Sequence, residues 1–530
     1  MPPSIIDREQ QVFGEGRRDT SLKANWRIFA ITLYLGTSLF EYGFDKGAIA
    51  GFQAMPGFLQ VFGYQTLDGN WAIHSGPQQI ISSFMVLGNM IGSASTGFIG
   101  SYIGRRYALM LGSLLVIVST VIMSETTSMG ALYFSRLLIG IGNGILLNFT
   151  VLYLQECTPA YFRGLCMSMV TCWIVIGTTI GMVVNNKTAS IMSRQAYQIP
   201  LYICYPAPVI LILTLPFFPE TPRWLLHRGK PDEAFRSLQF FRRGTYDEVA
   251  LREEFEEMKA AARRQREVQT SWITFFKLFR GPNLRRTMVA VGVGTTNAAI
   301  GAMFVLAFGT YFFEVAEVSD PFQWIIVTNC IGIAGLLLTW AVVTRVGRRQ
   351  IILVGCALCT TTMLIMASVF AAPNVDKASK DIALIVTVSV YIFGFNFGVE
   401  PYVYLVAGEI PSQQLRGYTL GFSTTVSFFF GWLTAFTTPY FINPTELNWG
   451  PKYGYVWFGS GLITTAFIWY CLPEVRGRTL EEIDEMFRNN VPTREFSKYV
   501  CIENLEAQER GRKEVKAEDN PTEAHVEVVQ

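Results

Sequence analysis

The chain has 530 residues; half are hydrophobic, 14% are aromatic, only 16% are charged, and the net charge is +2. A soluble chain carries charge on about a quarter of its residues, so this composition argues against one. No basic face interleaved with aromatics is present, so the sequence gives no sign of a nucleic-acid partner.

Residues 1–26 form a polar tail without the apolar stretch of a cleaved signal peptide, so the first membrane helix is expected to direct insertion itself. Beyond it the apolar residues fall in runs of about 18–25, the length that crosses a bilayer as a helix. Twelve such helices are predicted: α1 at 27–51, α2 at 78–102, α3 at 107–125, α4 at 130–154, α5 at 165–185 and α6 at 200–218. After a charged segment come α7 at 287–312, α8 at 322–343, α9 at 350–371, α10 at 382–407, α11 at 417–438 and α12 at 452–472. The charged segment, 219–286, reads as two or three short amphipathic helices, with Pro231 suited to a first turn. It cannot span a bilayer and so divides the chain into a six-helix half at 27–218 and another at 287–472, followed by a charged tail at 473–530.

Two of these helices contain ionisable residues. In α1 the stretch FEYGFDKGAIAG (40–51) carries Glu41, Asp45 and Lys46, where each charge costs about 2.5–3.5 kcal/mol at a helix centre. Glu41 stands one turn before Asp45 and shares its face. In α10, FNFGVEPYVYL contains Glu400, and an intramembrane carboxylate is a functional candidate by default. The alternative is a structural acid hydrogen-bonded in the interior.

Arginine placement orients the chain. Arg105 and Arg106 follow α2, Arg163 follows α4, Arg345, Arg348 and Arg349 follow α8, and Arg416 follows α10, while the opposite loops hold few cations. Both termini are therefore expected in the cytoplasm, and the sequon Asn186-Lys187-Thr188 falls on the outer side, where glycosylation of Asn186 is permitted. The halves echo each other: GRR at 104–106 and 347–349, ECTPAYFRG at 156–164 and EIPSQQLRG at 409–417. Equivalent motifs at the same helix spacing imply parallel repeats related by an axis along the membrane normal, with a substrate site between them. The predicted fold is an all-α membrane protein of twelve transmembrane helices in two parallel-repeat six-helix halves.

Of the nine cysteines, Cys356 and Cys359 form a CxxC, but no second pair or histidine accompanies it, and small packing residues in a helix are the expected reading. The three histidines are scattered, so no metal site and no cofactor is expected. No nucleophile–base constellation points to an enzyme.

PETPRWLL (219–226) resembles the PESPRWL that follows helix 6 in the sugar porter branch of the major facilitator superfamily. PEVRGRTLEEIDEMF (473–487), SRLLIGIGNG (135–144), the YxxE–P–RG pattern from Tyr153 to Gly164 and the EIPS–LR segment after α10 are similar to that family too, over about 27–487. GTYFFE (309–314) and the α10 pattern resemble its fungal maltose-permease-like members. The resemblance implies the major facilitator fold and alternating access. It implies a small-molecule substrate and protons as partners, a lipid bilayer, and function as a monomer in the plasma membrane.

Proton-coupled members resemble GYD in helix 1, and this chain reads Gly43-Phe44-Asp45. The family pairs that aspartate with an arginine of helix 4, here Arg136. Burial pushes such a carboxylate toward neutrality while a guanidinium pulls it toward ionisation, so a changing distance switches proton affinity. The alternative is a static ion pair. Glu41 and Lys46 lie outside the family pattern; Glu41 is open to relaying protons, recognising a polar substrate or pairing with a snorkelling lysine. A cytoplasmic gate network is expected of Arg105, Arg106, Glu156, Arg163, Glu220, Arg223, Arg348, Arg349, Glu409 and Arg416, against the alternative of plain positive-inside anchors.

The sugar-contacting positions match least. The resemblance implies substrate contacts at Phe44, Thr171, Thr178, Asn297, Glu400, Tyr404 and Phe428, yet Thr171 and Thr178 stand for the family's helix 5 glutamines and Asn297 is the only amide in its run of α7. Trp173, Tyr311, Phe312 and Phe393 add aromatic surface, although a membrane-helix aromatic more often packs. Ser101 and Thr344 replace the acids of the two GRR motifs, which should loosen the inner lock. The expected function is proton-coupled symport of a sugar, polyol or glycoside. A proton-coupled transporter or exporter of a non-sugar metabolite is the alternative, and a non-transporting nutrient sensor a third.

Overall fold

The computed structural model describes residues 19, 21–52, 55–65, 71–73, 75–188, 191–265, 275–306, 321–343, 345–373, 375–442 and 447–502. Among the described residues helices occupy each predicted place, and residues 307–312 of the predicted α7 lie outside them. In the first half α1 is Trp26–Phe52, α2 Ser75–Tyr102, α3 Gly104–Glu125, α4 Met129–Cys157 and α5 Arg163–Thr188. There α6 comes in two pieces, Gln195–Ile203 and Pro206–Thr214. In the second, α7 begins with Pro282–Gly294 and Thr296–Ala299, and α8 is Pro321–Val342. Then α9 is Arg348–Ala371, α11 is Arg416–Ile442 and α12 is Gly454–Cys471, while α10 is split into Lys377–Gly398 and Glu400–Glu409. Between α1 and α2 a two-stranded antiparallel pair joins Tyr64 with Ala72 and Gln65 with Trp71, the one sheet among the described residues.

Several helices outrun their apolar spans because their first turns are arginines: α5 opens on Arg163, α9 on Arg348 and α11 on Arg416. Among the described residues seven helices are long and apolar enough to cross a membrane on length and composition alone. The remaining five are diluted by charge in α1, by a break in α7, and by Ser, Thr, Gly and aromatic residues in α2, α11 and α12. The breaks have local causes. Pro206 restarts α6, Gly301 adopts φ +83° in α7, and Pro401 follows the interruption of α10 at Val399.

The packing repeats between halves. In the first, α1 lies on α5, α2 on α4 and α3 on α6; in the second, α7 lies on α11, α8 on α10 and α9 on α12. The halves meet through α2 against α11 and α5 against α8, which are equivalent contacts under the same repeat. Where α1 crosses α5 the backbones touch: a Cβ on Gly43 would lie 2.0 Å from the Ile174 carbonyl oxygen, and one on Gly47 2.3 Å from that of Thr178. The charged segment after α6 forms helices at Pro222–His227, Pro231–Arg242 and Glu248–Gln265, with Pro231 in the first turn as expected. After α12 a short helix, Leu480–Arg488, starts with a capping box between Thr479 and Glu482.

Candidate functional site

Asp45 and Arg136 form an ion pair within the membrane. The guanidinium Nη1 donates to Asp45 Oδ1 at 2.7 Å, with side chains 1% and 0% exposed. Arg136 Nε also donates to the Ile81 carbonyl of α2 at 3.2 Å, so three helices fix its geometry. Asp45 Oδ2 and both oxygens of Glu41 have no hydrogen-bond partner among the described residues, although Glu41 is 1% exposed. Asp45 and Arg136 act on Glu41 electrostatically, and the Asn143 amide adjoins it. Two carboxylates therefore share one guanidinium in a buried cluster. The cluster can hold a proton, because an uncompensated charge there is costly.

Glu400 begins the second piece of α10. Asn297 Nδ2 of α7 donates to its Oε2 at 3.2 Å, and the residue is 8% exposed. Tyr404 stands one turn later, partly exposed. Of the other expected substrate contacts, Phe44 is fully enclosed, and Phe428 and Thr171 are buried. The Thr171 hydroxyl donates to Met167 O at 3.1 Å, and that of Thr178 lies 3.0 Å from Gly43 O and 2.9 Å from Ile174 O, at the α1–α5 seam. Tyr311, Phe312 and the GTYFFE run lie outside the described residues, as does Thr344.

The arginine-rich side is laced together by carboxylates. Within the first half Arg105 Nη2 meets Glu156 Oε1 at 2.9 Å; within the second, Arg348 Nη2 meets Glu409 Oε1 at 3.1 Å. Arg163 crosses between halves to the same Glu409 oxygen at 3.1 Å. Gln155 Nε2 adds a bond to the Leu405 carbonyl at 3.0 Å. Among the described residues the equivalent cross-half arginine, Arg416, makes no such contact: it is 1% exposed, with Nε and Nη2 unpartnered.

Two further carboxylates cap helices in equivalent places. Glu220 Oε2 accepts the Arg106 amide of α3 at 3.0 Å, and Glu474 accepts the Arg348 and Arg349 amides of α9 at 3.1 Å each. This explains the glycine before each arginine pair, since a Cβ on Gly104 would lie 2.5 Å from Glu220 Oε2 and one on Gly347 2.2 Å from Glu474 Oε2. The side chains of Arg106 and Arg349 then hold helix-end carbonyls, Phe218 O at 2.9 Å and Trp469 O. Arg223 clamps the tail helix through two bonds to Glu481, at 2.9 and 3.0 Å, and reaches the Glu156 carbonyl at 2.8 Å.

Outside the membrane helices the ionisation follows burial and partners. Burial pushes the Glu220 carboxyl up despite its backbone donors. Burial also opposes the charge of Glu481, but the Arg223 guanidinium outweighs it and holds that carboxyl below the usual range. His227 is pushed down to about 4 by burial and by the Arg105 guanidinium.

Sequence reasoning missed Glu474 and Glu481, although the Pro-Glu of 219–220 recurs at 473–474 and was legible. Asn186 is exposed near the end of α5.

The model of the family described as "Sugar (and other) transporter" matches residues 29–487. The chain belongs to the sugar transporter family of the major facilitator superfamily. A major facilitator-type transporter, ecdD, of Aspergillus rugulosus is 26% identical over 87% of both chains. The general alpha-glucoside permease of Saccharomyces cerevisiae is 27% identical over 88% of this chain and 76% of its own. The maltose permease MAL31 of the same yeast is 27% identical over 99% of this chain and 87% of its own. Among solved structures, the proton:xylose symporter XylE bound to 6-bromo-6-deoxy-D-glucose superposes with a TM-score of 0.74 at 19% identity, covering 88% of this chain and 100% of that one. This likeness supports the twelve-helix fold.

Proposed function

We propose that this transporter is a proton-coupled sugar symporter of the plasma membrane that works by alternating access as a monomer. The observation that carries the reading is the buried Asp45–Arg136 pair, 2.7 Å long, between α1 and α4. A rearrangement that lengthens the pair changes the cost of the buried charge, so proton uptake follows conformation. The names of the relatives, maltose and alpha-glucoside permeases, support a sugar over a non-sugar metabolite.

The arginine-rich side is the cytoplasmic gate, with both termini and the 219–286 segment in the cytoplasm and Asn186 outside, available for glycosylation. Arg163–Glu409 and Gln155–Leu405 hold the halves together there, so this conformation is closed toward the cytoplasm. Breaking them would open the inner mouth. The test is the proton itself: adding a transported sugar to unbuffered, de-energised cells expressing the protein should alkalinise the medium, and Asp45→Asn should abolish that response. Sugar entry without proton movement would remove the coupling from the proposal.

A further inference from the structure

Glu41 is the acid of the buried cluster that the pairing of Asp45 with Arg136 leaves over. Contacts between α1 and α4 run in order along the two antiparallel helices. Ser38 Oγ lies 2.7 Å from Thr150 Oγ1, Asp45 Oδ1 lies 2.7 Å from Arg136 Nη1, and Glu41 and Asn143 adjoin each other between them. Glu41 and Asn143 are both buried. Neither carboxyl oxygen of Glu41, and neither the amide oxygen nor the amide nitrogen of Asn143, has a hydrogen-bond partner among the described residues. Asp45 shares a helix face with Glu41, Arg136 of α4 is the cation that acts on it, and Cys204, at the break of α6, lies near both acids. On the side of α1 that packs along α5 there is no charge to add, since α5 has no charged residue between Arg163 and Lys187. The cluster thus holds two carboxyl groups, one guanidinium and an unused amide.

We propose that Glu41 is a second proton-binding group of the transport cycle, which takes the proton of Asp45 when Arg136 closes on Asp45 and holds it one turn nearer the cytoplasm. The inference rests on the symport reading, with its cytoplasmic N-terminus, and adds a step to that cycle. One guanidinium balances one carboxylate, so the cluster is neutral only with a proton on the other acid. A second bare charge there, buried and without a donor, is costly. In the transfer the O–H bond of the Asp45 carboxyl breaks and one forms on a Glu41 oxygen. The negative charge passes from Glu41 to Asp45, Arg136 moves from one carboxylate to the other, and no further reactant is needed. The described conformation, with Arg136 on Asp45, is the one after the transfer. Glu41 lies one turn before Asp45, about 6 Å closer to the start of α1. The Asn143 amide both donates and accepts, so it suits the carboxyl with or without its proton. Opening of the inner side then releases the proton from Glu41 while Asp45 stays paired. The acid that loads from outside and the acid that empties inside are different groups.

The test uses the full chain in yeast cells lacking their own sugar carriers, with labelled maltose, glucose and xylose. Accumulation with and without a protonophore, alkalinisation of the medium on sugar addition, and counterflow are compared at equal surface expression. The proteins are wild type, Asp45→Asn, Glu41→Gln, Glu41→Asp and the double variant Glu41→Gln with Asn143→Asp. Glu41→Gln is expected to lose accumulation and alkalinisation while keeping counterflow with an unchanged KM, and Glu41→Asp to keep all three. The double variant moves the carboxyl across the seam to α4 and is expected to regain accumulation, which a merely structural role of Glu41 would not produce. Accumulation by Glu41→Gln equal to that of wild type, with Asp45→Asn uncoupled, overturns the relay and leaves the symport reading standing. Loss of counterflow together with accumulation in Glu41→Gln, not restored in the double variant, makes Glu41 a structural acid and overturns the relay as well. If Glu41→Gln does not reach the cell surface, the double variant decides: accumulation by it supports the relay, and its failure to accumulate overturns it. If wild type accumulates none of the three sugars, the symport reading itself has failed and the relay with it.

Discussion

Arg136 Nη1 and Asp45 Oδ1 stand 2.7 Å apart in a setting where neither side chain is more than 1% exposed. Removing one partner of such a pair strands the other charge, at a cost of about 3–5 kcal/mol. Arg136→Ala should therefore lower the yield of folded protein, whereas Asp45→Asn keeps a hydrogen-bonding group and should fold. Asp45→Asn is expected to lose uptake against a gradient while retaining sugar exchange down it. Counterflow compared with net accumulation checks this, and accumulation by Asp45→Asn would count against proton coupling through this carboxylate.

Glu409 joins Arg163 of one half to Arg348 of the other. Glu409→Gln should favour the conformation open toward the arginines, and Ser101→Asp should oppose it by placing an acid near the N-terminus of α11. A difference of about 1.4 kcal/mol changes the ratio of conformers roughly tenfold. Spin-label distances between the ends of α4 and α10 on that side should lengthen in Glu409→Gln and shorten in Ser101→Asp. No movement in either would leave these groups as anchors rather than gates.

The glycines before the arginine pairs are expected to be intolerant to different degrees. Gly104→Ala and Gly347→Ala both push a Cβ into a carboxylate, but Gly104 has φ +88° and Gly347 φ −66°. The left-handed position adds about 1–2 kcal/mol of strain, so Gly104→Ala should lower the Tm of the purified protein more. Equal losses would mean that the carboxylate contact alone matters.

His227 gives a pH dependence with a definite sign. Its folded pKa of about 4 lies below an unfolded value near 6.5, so only the unfolded chain binds this proton between those limits. Stability from keeping it neutral beside Arg105, Arg416 and Glu156 is fully present above about pH 6.5 and is lost as pH falls toward 4. The Tm of wild type should fall across that window more steeply than that of His227→Gln. Parallel curves would contradict the assignment.

What the sequence disclosed follows the range of the interactions. The charges of α1 and α10 stood out because an apolar run makes any ionisable residue conspicuous, and the gate arginines because their motifs recur. Helix ends were drawn short, since hydropathy stops at the first arginine although Arg163, Arg348 and Arg416 lie within their helices. The unequal pairing of Arg163 and Arg416 was not legible, because their surroundings in sequence are nearly the same and only the packing of the halves separates them.

The central claim, proton-driven sugar uptake, is tested most directly by following labelled maltose, glucose and xylose into carrier-deficient cells with and without a protonophore. The account predicts that at least one neutral sugar accumulates above its external concentration and that the protonophore collapses the accumulation to equilibrium. Uptake that never exceeds equilibrium and is indifferent to the protonophore, or no uptake of any of the three by protein present at the cell surface, would contradict it.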